Sequence, residues 1–249
     1  MFIKFFIKFP LFKRIIPSIF KKYIFFTNNF WKRKKIDGII YFLDTRYLID
    51  RNFYLSENYE DDLFNFAKKK IIKNKIEYFF DLGSCWGIYS LRLSKIKKLK
   101  IFSFDAIDKN INRLKKMKKI NNIKNIKTFN SALGNKVGKI KFYGLEEFTP
   151  NYSIYDKNNK YVYMANMNKL DNLISIKNKK VFIKVDVESH EYYLLLGAVK
   201  TISNNKVIIQ IEIIKNKIKV LNLLKKNNFK LLYHKPKTDD YIFSNYSFV

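Results

Sequence analysis

Residues 76–93 read IEYFFDLGSCWGIYSLRL, and this stretch decides the fold class of the chain. Residues 76–82 form an apolar run with aromatic side chains, which is typical of a buried β-strand. The run ends in a turn that contains Gly83 and Gly87, and apolar residues at helical spacing follow over 88–96. A strand that leads through a glycine turn into a helix is the opening unit of a doubly wound α/β sheet.

The same alternation of strand and helix continues along the chain. Further strands are predicted over 100–105, 125–130, 180–187 and 206–213, with helices over 110–120, 191–202 and 214–224. The sequence also predicts a hairpin strand over 138–143, a long polar loop over 144–169, and closing strands over 229–233 and 240–243. Short connections in this order predict parallel strands joined by right-handed crossovers. We therefore expect an α/β fold with a Rossmann-like, doubly wound, mostly parallel sheet, whose ligand crevice lies at the carboxyl ends of the strands.

The composition is that of a folded chain with a large excess of lysine. The 249 residues are 47% hydrophobic and 29% charged, which excludes a wholly disordered protein. Lys and Arg number 50 against 21 Asp and Glu, so the net charge is +29. Nearly all the basic residues are lysines, whereas base-reading interfaces rely on the guanidinium fork of arginine, so nucleic acid is not the expected partner. The single cysteine, Cys85, cannot form an internal disulfide, which favours a cytoplasmic protein.

The first 35 residues carry ten Lys or Arg and no acidic residue. The longest charge-free run, 23–31, is far shorter than the roughly 20 residues that span a bilayer, and lysines break any signal-like stretch. Pro10 and Pro17 argue against one long amphipathic helix. We expect a basic, aromatic extension over 1–45 and a globular domain over 46–249. The extension either contacts an anionic membrane peripherally, at its inner face, or it packs on the domain or stays mobile.

The glycine turn has the pattern D-x-G-x-x-x-G, from Asp81 through Gly83 to Gly87. It lacks the G-x-G-x-x-G fingerprint of dinucleotide sites. Asp105 follows Gly83 by 22 positions, at the end of the second predicted strand, where a carboxylate can accept hydrogen bonds from both hydroxyls of a ribose. A nucleoside ligand without a pyrophosphate fits this pattern. The alternative is that the glycines only make a tight turn and Asp105 caps the next helix.

Several segments together resemble the FkbM-type methyltransferases. The segments are DLGSCWGIYSL, FSFDAIDKNINRLKKM, SALGNKVGKIKFY, KLDNL, FIKVDVESHEYYLLLGA and IIQIEI, over residues 81–212. The resemblance implies a class I methyltransferase-like fold with S-adenosyl-L-methionine as cofactor. It also implies O-methylation of a sugar, glycolipid or other hydroxyl-bearing metabolite.

The resemblance also implies roles for individual residues. The methionine end of the cofactor would lie at Asp81, Gly83, Ser84 and Gly87, the ribose at Asp105, and the adenine at Ile107, Asn130 and Ser131. Three positions depart from the family pattern: Cys85 replaces an Asn, Asp105 replaces a Glu, and Ser189 replaces a Gly. A serine costs about 1 kcal/mol if that backbone is left-handed. Together these departures predict weakened cofactor affinity.

Catalytic candidates cluster in the segment KVDVESHE. His190 is one of two histidines and is a candidate general base, or else it packs at the start of the next helix. Asp186 and Glu188 are expected to share one face of the strand, because side chains alternate. They would bind substrate hydroxyls, act as the base, or hold a divalent cation, although the sequence identifies no further ligands and predicts no metal site. Glu212 is a further candidate at the same sheet edge.

These observations predict an S-adenosylmethionine-dependent O-methyltransferase with a small-molecule or saccharide acceptor. An N-methyltransferase of the same fold is the alternative enzyme, because no residue distinguishes oxygen from nitrogen acceptors. A second alternative is a catalytically weak membrane- or RNA-binding module on this scaffold.

Overall fold

A computed structural model describes residues 10–144 and 161–247. In this part of the chain the strands are β1 (Trp31–Ile36), β2 (Ile39–Asp44), β3 (Tyr78–Leu82), β4 (Lys100–Asp105), β5 (Ile126–Asn130), β6 (Ala132–Leu133), β7 (Gly138–Gly144), β8 (Tyr161–Asn168), β9 (Lys180–Val185), β10 (Lys206–Glu212), β11 (Lys230–His234) and β12 (Asp240–Ser244). The helices are α1 (Pro10–Thr27), α2 (Leu48–Ser56), α3 (Asp61–Lys73), α4 (Ile88–Leu93), α5 (Asp108–Ile120), α6 (Leu170–Leu173), α7 (Glu191–Leu196), α8 (Val199–Ser203) and α9 (Lys217–Lys226).

The central sheet has seven strands in the order β11-β12-β10-β9-β3-β4-β5. β5, β4, β3, β9 and β10 pair in parallel, and β12 runs antiparallel to both β10 and β11. The chain therefore builds outward from β3 to β5 and then returns to place β9 on the other side of β3. This reversal of direction creates a crevice between β3 and β9 at the carboxyl ends of the strands. The predicted α/β, mostly parallel, doubly wound architecture is confirmed.

Alternating side chains bury both faces of this sheet. Along β3, Phe79 belongs to one hydrophobic cluster, while Phe80 and Leu82 belong to the other. The first cluster includes residues of β2, α2, α3 and α5, and the second includes residues of α7, α8 and α9. Because both faces are covered by helices, the central strands read as nearly continuous apolar runs.

Two predicted elements were wrong. The helix predicted over 191–202 is broken at Gly197. The backbone passes so close to the carbonyl oxygen of Gly134 there that a Cβ on Gly197 would lie 1.9 Å from it. The Gly197 carbonyl also accepts a hydrogen bond from Asp171 N, so the chain turns there before α8 begins. The loop predicted over 144–169 contains β8, which pairs antiparallel with β7 in a small separate sheet. Residues 145–160 of that predicted loop lie outside the described residues.

The N-terminal region contains one long helix despite its prolines, so that expectation was also wrong. Pro10 begins α1, where a missing N–H costs nothing, and Pro17 removes one hydrogen bond inside it. Ile24 is fully buried and the ring of Phe20 stacks on Tyr54, which anchors the helix. The β1–β2 hairpin places Tyr41 in the domain core, while the boundary at residue 45 stays a prediction. Across the described ranges, no helix has both the length and the apolarity to cross a membrane.

Candidate active site

A cleft of about 270 Å³ opens at the crevice between the carboxyl ends of β3, β4, β9 and β10. Of the residues predicted to form a site, Gly83, Asp105, Ile107, Ser131, Asp186, Glu188, His190 and Glu212 line it. The fold therefore brings together residues that are up to 129 positions apart in the sequence. Asp81, Ser84, Gly87 and Asn130 do not line this cleft.

The glycine turn is shaped by contacts with the neighbouring strands. Gly83 has a φ of +81°, and a Cβ on it would lie 1.8 Å from the carbonyl oxygen of Asp186. The N–H groups of Gly83 and Ser84 both donate to the carbonyl of Phe104. Gly87 also has a left-handed φ, and its Cβ would lie 2.6 Å from Leu114. Glycine is needed at Gly83 because β3 and β9 approach closely there.

Asp105 holds the glycine turn against the start of α5. Its Oδ2 accepts a hydrogen bond from Cys85 N at 2.8 Å, and its Oδ1 accepts from Ile107 N at 2.8 Å and from Asn110 Nδ2 at 3.1 Å. A carboxylate offers about four lone-pair positions, so one is left for a further donor. Burial raises the pKa of Asp105 to about 7. The three hydrogen bonds favour the charged form and lower the pKa, but burial has the larger effect. The carboxylate therefore combines the capping role with room for one ligand hydroxyl.

Three other predicted cofactor residues support the cleft from outside. Asp81 is buried beneath the turn, where its Oδ2 accepts a hydrogen bond from Ser90 Oγ at 2.6 Å. The side-chain amide of Asn130 donates to the carbonyls of Asp105 and Ala106, which fixes the backbone beyond β4. Within the described residues, the Ser84 hydroxyl donates to the neighbouring Cys85 carbonyl at 3.4 Å. Asp81 and Ser84 line a small cavity that shares Gly83, Cys85 and Asp186 with the cleft, whereas Asn130 lines neither.

The acidic segment after β9 is a tight turn. β9 ends at Val185, and Glu188 and Ser189 have φ values of +48° and +79°. Strand alternation therefore does not apply, and the predicted reason for pairing Asp186 with Glu188 was wrong. The turn nevertheless places Asp186, Glu188 and His190 in the cleft lining. Ser189 does occupy a left-handed position, as the glycine of the family pattern would.

His190 is a poorly solvated imidazole. Both ring nitrogens are buried, and neither has a hydrogen-bond partner among the described residues. Burial lowers the pKa of His190 to about 4, so the ring is neutral at pH 7. A group with this pKa is a weak proton acceptor near neutral pH.

A buried lysine lies beside the acidic turn. Lys184 is 6% exposed, and its Nζ forms an ion pair with Asp186 Oδ2 at 2.7 Å. Burial opposes its charge, but the carboxylates of Asp186 and Glu60 outweigh this effect and raise the pKa of Lys184. The Tyr89 hydroxyl donates to Glu60 Oε2 at 3.0 Å. Lys184 therefore fixes the position of the Asp186 carboxylate at this turn.

Glu212 lies on the same side of the cleft. Burial raises its pKa to about 8, and the negative charges of Asp186, Asp240 and Glu188 act in the same direction. A carboxylate with this pKa is suited to accepting a proton near neutral pH. Within the described ranges, no group of three or more His, Cys, Asp or Glu side chains is arranged to hold a metal ion.

Sequence reasoning missed the residues that come from outside the motifs. Tyr59 and Glu60 precede α3 by sequence but line the cleft, as does Phe142 from β7. No local pattern marks them, because their role depends on how the chain folds back over the sheet. Lys184 did leave a signal: it is a lysine inside the strand KVFIKV, in which the other central positions are apolar and buried. A charge in such a strand indicates a buried partner.

No protein-family model and no curated protein matches the sequence. Among solved structures, TYW2 from P. horikoshii in complex with MeSAdo has a TM-score of 0.50 and 10% identity, over 87% of this chain and 70% of that one. TYW2 from M. jannaschii in complex with AdoMet has a TM-score of 0.47 and 12% identity, over 86% of this chain and 84% of that one. An rRNA methylase from Streptococcus thermophilus has a TM-score of 0.45 and 11% identity, over 74% of this chain and 92% of that one. At these identities the likeness establishes the fold, which is that of the Rossmann-like class I methyltransferases, and the FkbM-type resemblance stays a prediction.

Proposed function

We propose that the protein is an S-adenosyl-L-methionine-dependent methyltransferase that methylates a hydroxyl group of a sugar, glycolipid or related metabolite. The observation that carries this proposal is the position of Asp105. Asp105 is the last residue of β4, and its carboxylate accepts a hydrogen bond from Cys85 N in the glycine turn. One acceptor position of this carboxylate remains for a ligand in the cleft, which lies where the strand order of the sheet reverses. The class I methyltransferase fold supports the same assignment.

The residues present fit this cofactor. Asp105 would accept a hydrogen bond from the ribose, Ile107 and Phe142 offer apolar surface for the adenine, and Ser131 offers a hydroxyl beside it. When bound, the cofactor supplies a methyl group on a positively charged sulfonium. The carboxylates of Asp186 and Glu188 favour a positive charge in this part of the cleft.

The proposed proton acceptor is Glu212. A hydroxyl becomes a good nucleophile only as a base removes its proton, and a base works best with a pKa near the working pH. The pKa of Glu212 is raised to about 8 by burial, whereas that of His190 is lowered to about 4 by burial. We therefore assign His190 to the wall of the cleft and Asp186 to binding the acceptor. Glu212→Gln should lower turnover by about 10²- to 10⁴-fold and leave cofactor affinity within about twofold.

Calorimetry with S-adenosylhomocysteine tests the cofactor assignment. The full-length protein should bind one equivalent, and Asp105→Asn should weaken binding. Absence of binding by both S-adenosylhomocysteine and S-adenosylmethionine would overturn the proposal and favour a binding module on this scaffold. Mass spectrometry of the methylated product then separates oxygen from nitrogen methylation.

The cleft does not favour a nucleic-acid acceptor, although one similar structure is an rRNA methylase. Its described lining contains the carboxylates of Glu60, Asp105, Asp186, Glu188 and Glu212, and neither Lys nor Arg. Phosphates would be repelled by this lining, whereas recognition of a nucleic-acid backbone requires basic side chains. The abundant lysines lie elsewhere on the surface.

We further propose that α1 attaches the protein to an anionic membrane surface. Ile15, Ile19, Tyr23 and Phe26 recur at helical spacing and are exposed, with Phe26 90% exposed. Lys21 and Lys22 are exposed beside this stripe. Apolar side chains flanked by lysines are suited to the headgroup layer of an anionic bilayer.

Vesicle sedimentation tests this attachment. The double variant Ile19→Glu, Phe26→Glu should abolish sedimentation with vesicles that contain phosphatidylserine, while Ile218→Glu, at another exposed apolar residue, should not. Equal sedimentation of the wild-type and double-variant proteins would exclude α1 as the attachment site.

A further inference from the structure

The candidate cleft is acidic in a strongly basic protein. The chain has 50 Lys and Arg against 21 Asp and Glu, yet the described cleft lining has five carboxylates and no Lys or Arg. His190, the remaining titratable nitrogen in this lining, is neutral at pH 7 because burial lowers its pKa. Burial raises the pKa of Asp105 to about 7 and that of Glu212 to about 8, but Glu60, Asp186 and Glu188 still make the cleft acidic, in contrast to the basic molecule as a whole.

A smaller cavity continues from the acidic side of the cleft and contains a single ammonium group. Its lining includes Glu60, Lys184, Asp186, Gln210, Glu212 and Asp240. Lys184 is already paired with Asp186 at 2.7 Å. One lysine in this lining therefore faces four half-buried carboxyl groups, so acidic groups outnumber basic ones at this end of the cleft.

The arrangement of the strands keeps these charges together. Glu212 and Asp240 are direct register partners in the antiparallel pair β10–β12, and like charges opposite each other destabilise a sheet. Burial and the charges of Asp186, Asp240 and Glu188 raise the pKa of Glu212 to about 8, because together they outweigh the opposing charge of Lys184.

Gln210 provides an independent indication of a missing donor. Its side chain is 2% exposed and lines the same cavity, and its Nε2 donates to the Tyr89 hydroxyl at 3.3 Å. Its Oε1 has no hydrogen-bond partner among the described residues. A buried amide oxygen without a donor is unfavourable, so a ligand or water that donates hydrogen bonds belongs beside it.

We propose that the acceptor carries a protonated amine, which binds at the acidic end of the cleft between Glu60 and the amide oxygen of Gln210, two side chains that both contact the Tyr89 hydroxyl. This inference rests on the proposed methyltransferase function and names its substrate class as amino sugars or amino alcohols. An ammonium has three donors and one positive charge, which match the carboxylates and the unpaired oxygen. A neutral sugar would supply donors but would leave the excess charge uncompensated.

Paired probes that differ only in an amine and a hydroxyl test the proposal. The probes are 6-amino-6-deoxyglucose against glucose, and ethanolamine against ethylene glycol, titrated by ligand-observed NMR into protein saturated with S-adenosylhomocysteine. The wild-type protein should bind each amine about tenfold more tightly than its hydroxyl counterpart, since a charge-assisted hydrogen bond is roughly twice as strong as a neutral one.

Carboxamide variants locate the effect. Glu60→Gln should reduce the amine preference at least about fivefold and leave S-adenosylhomocysteine affinity within about twofold. Glu77→Gln is the matched control, because Glu77 precedes β3 at the opposite edge of the sheet and pairs with Lys179. This control should retain the full preference.

The outcomes separate the two proposals. Failure to bind S-adenosylhomocysteine overturns the methyltransferase assignment, whatever the amine result, and the probes are then titrated into the protein alone. The amine proposal is overturned if amines and hydroxyls bind equally, if neither amine binds, or if Glu60→Gln keeps the preference.

Discussion

Replacing Asp105 by Asn is the most informative single change, because this carboxylate both organises the turn and has room for a ligand. In the folded protein it accepts hydrogen bonds from Cys85 N, Ile107 N and Asn110 Nδ2. The Asn carbonyl can still accept from Ile107 and Asn110. Its amide group then faces the Cys85 N–H, so one donor is left unpaired.

The structure sets the size of both effects. The unpaired Cys85 N–H should cost about 1–3 kcal/mol of stability, partly offset because a buried charge is removed. The ligand loses one charge-assisted hydrogen bond of about 1.5–3 kcal/mol, which corresponds to roughly 10- to 150-fold in affinity for S-adenosylhomocysteine. A loss of affinity without global unfolding is therefore expected.

The pH dependence separates a ligand contact from a purely structural role. The pKa of Asp105 is raised from 3.8 to about 7 by burial, so its contribution to stability is present below pH about 4 and is lost as pH rises through about 7. A ribose hydroxyl donates best to the ionised form. Affinity for S-adenosylhomocysteine should therefore rise between pH 6 and pH 8 in the wild-type protein and stay flat in Asp105→Asn.

Calorimetry across this pH range, together with thermal unfolding, measures both effects. Asp108→Asn is the control, since it removes the same charge three residues away, outside the cleft lining. Unchanged affinity in Asp105→Asn, or a pH dependence that survives the substitution, would refute the assignment of Asp105 to the ribose. Equal weakening in Asp108→Asn would show that the effect is only electrostatic and long-range.

Three further outcomes are expected from the turns and the histidine. Gly83→Ala should destabilise the protein by more than about 3 kcal/mol, because its Cβ would meet the Asp186 carbonyl at 1.8 Å. Gly38→Ala should lower the free energy of unfolding by only about 1 kcal/mol, because Gly38 has a left-handed φ but its added Cβ would meet only the flexible Lys95 side chain, with Nζ at 3.3 Å. Equal losses of stability for the two variants in denaturant unfolding would contradict this reasoning. Ser189→Gly should raise stability by up to about 1 kcal/mol, since Ser189 has a φ of +79°, and no gain in unfolding midpoint would count against strain there. The pKa of His190 is lowered to about 4 by burial, so its neutral ring stabilises the fold above pH about 6.5 and this contribution is lost as pH falls towards 4. His190→Gln should therefore flatten the stability profile in that window, and an unchanged slope would exclude the effect.

The local sequence predicted the central fold well but missed elements that depend on distant contacts. Residues 76–93 and the later strand–helix alternation carry their periodicity in adjacent residues, so the parallel sheet could be predicted. The break at Gly197 depends on the carbonyl of Gly134, 63 positions away. β8 exists because it pairs with β7 in the small sheet, a contact between strands that is separated in the chain from the parallel sheet's strand–helix alternation.

The candidate site divides in the same way. Asp105 and Asp186 follow strands of the parallel sheet, so their position at one edge follows from topology alone. Glu60 comes from a segment that precedes β3, and the pairing of Lys184 with Asp186 becomes visible only when the strand is buried. The order of the strands and their motifs therefore predicts where the cleft lies. The charge of the cleft depends on residues such as Glu60 and Lys184, which only long-range packing brings to it.

Two of the three positions that differ from the FkbM-type pattern, Cys85 and Ser189, lie in strained turns of the structure. Cys85 and Ser189 both keep left-handed backbone, with φ of +50° and +79°, although neither side chain favours it. Both positions lie in turns at the cleft, and Glu188 beside Ser189 has a φ of +48°. Strained backbone persists only where surrounding contacts hold it, and the Cys85 N–H bond to Asp105 and the Ser189 N–H bond to Glu191 Oε1 supply such contacts. Both turns therefore keep a left-handed backbone beside the cleft because hydrogen bonds from their own main-chain N–H groups hold them in place.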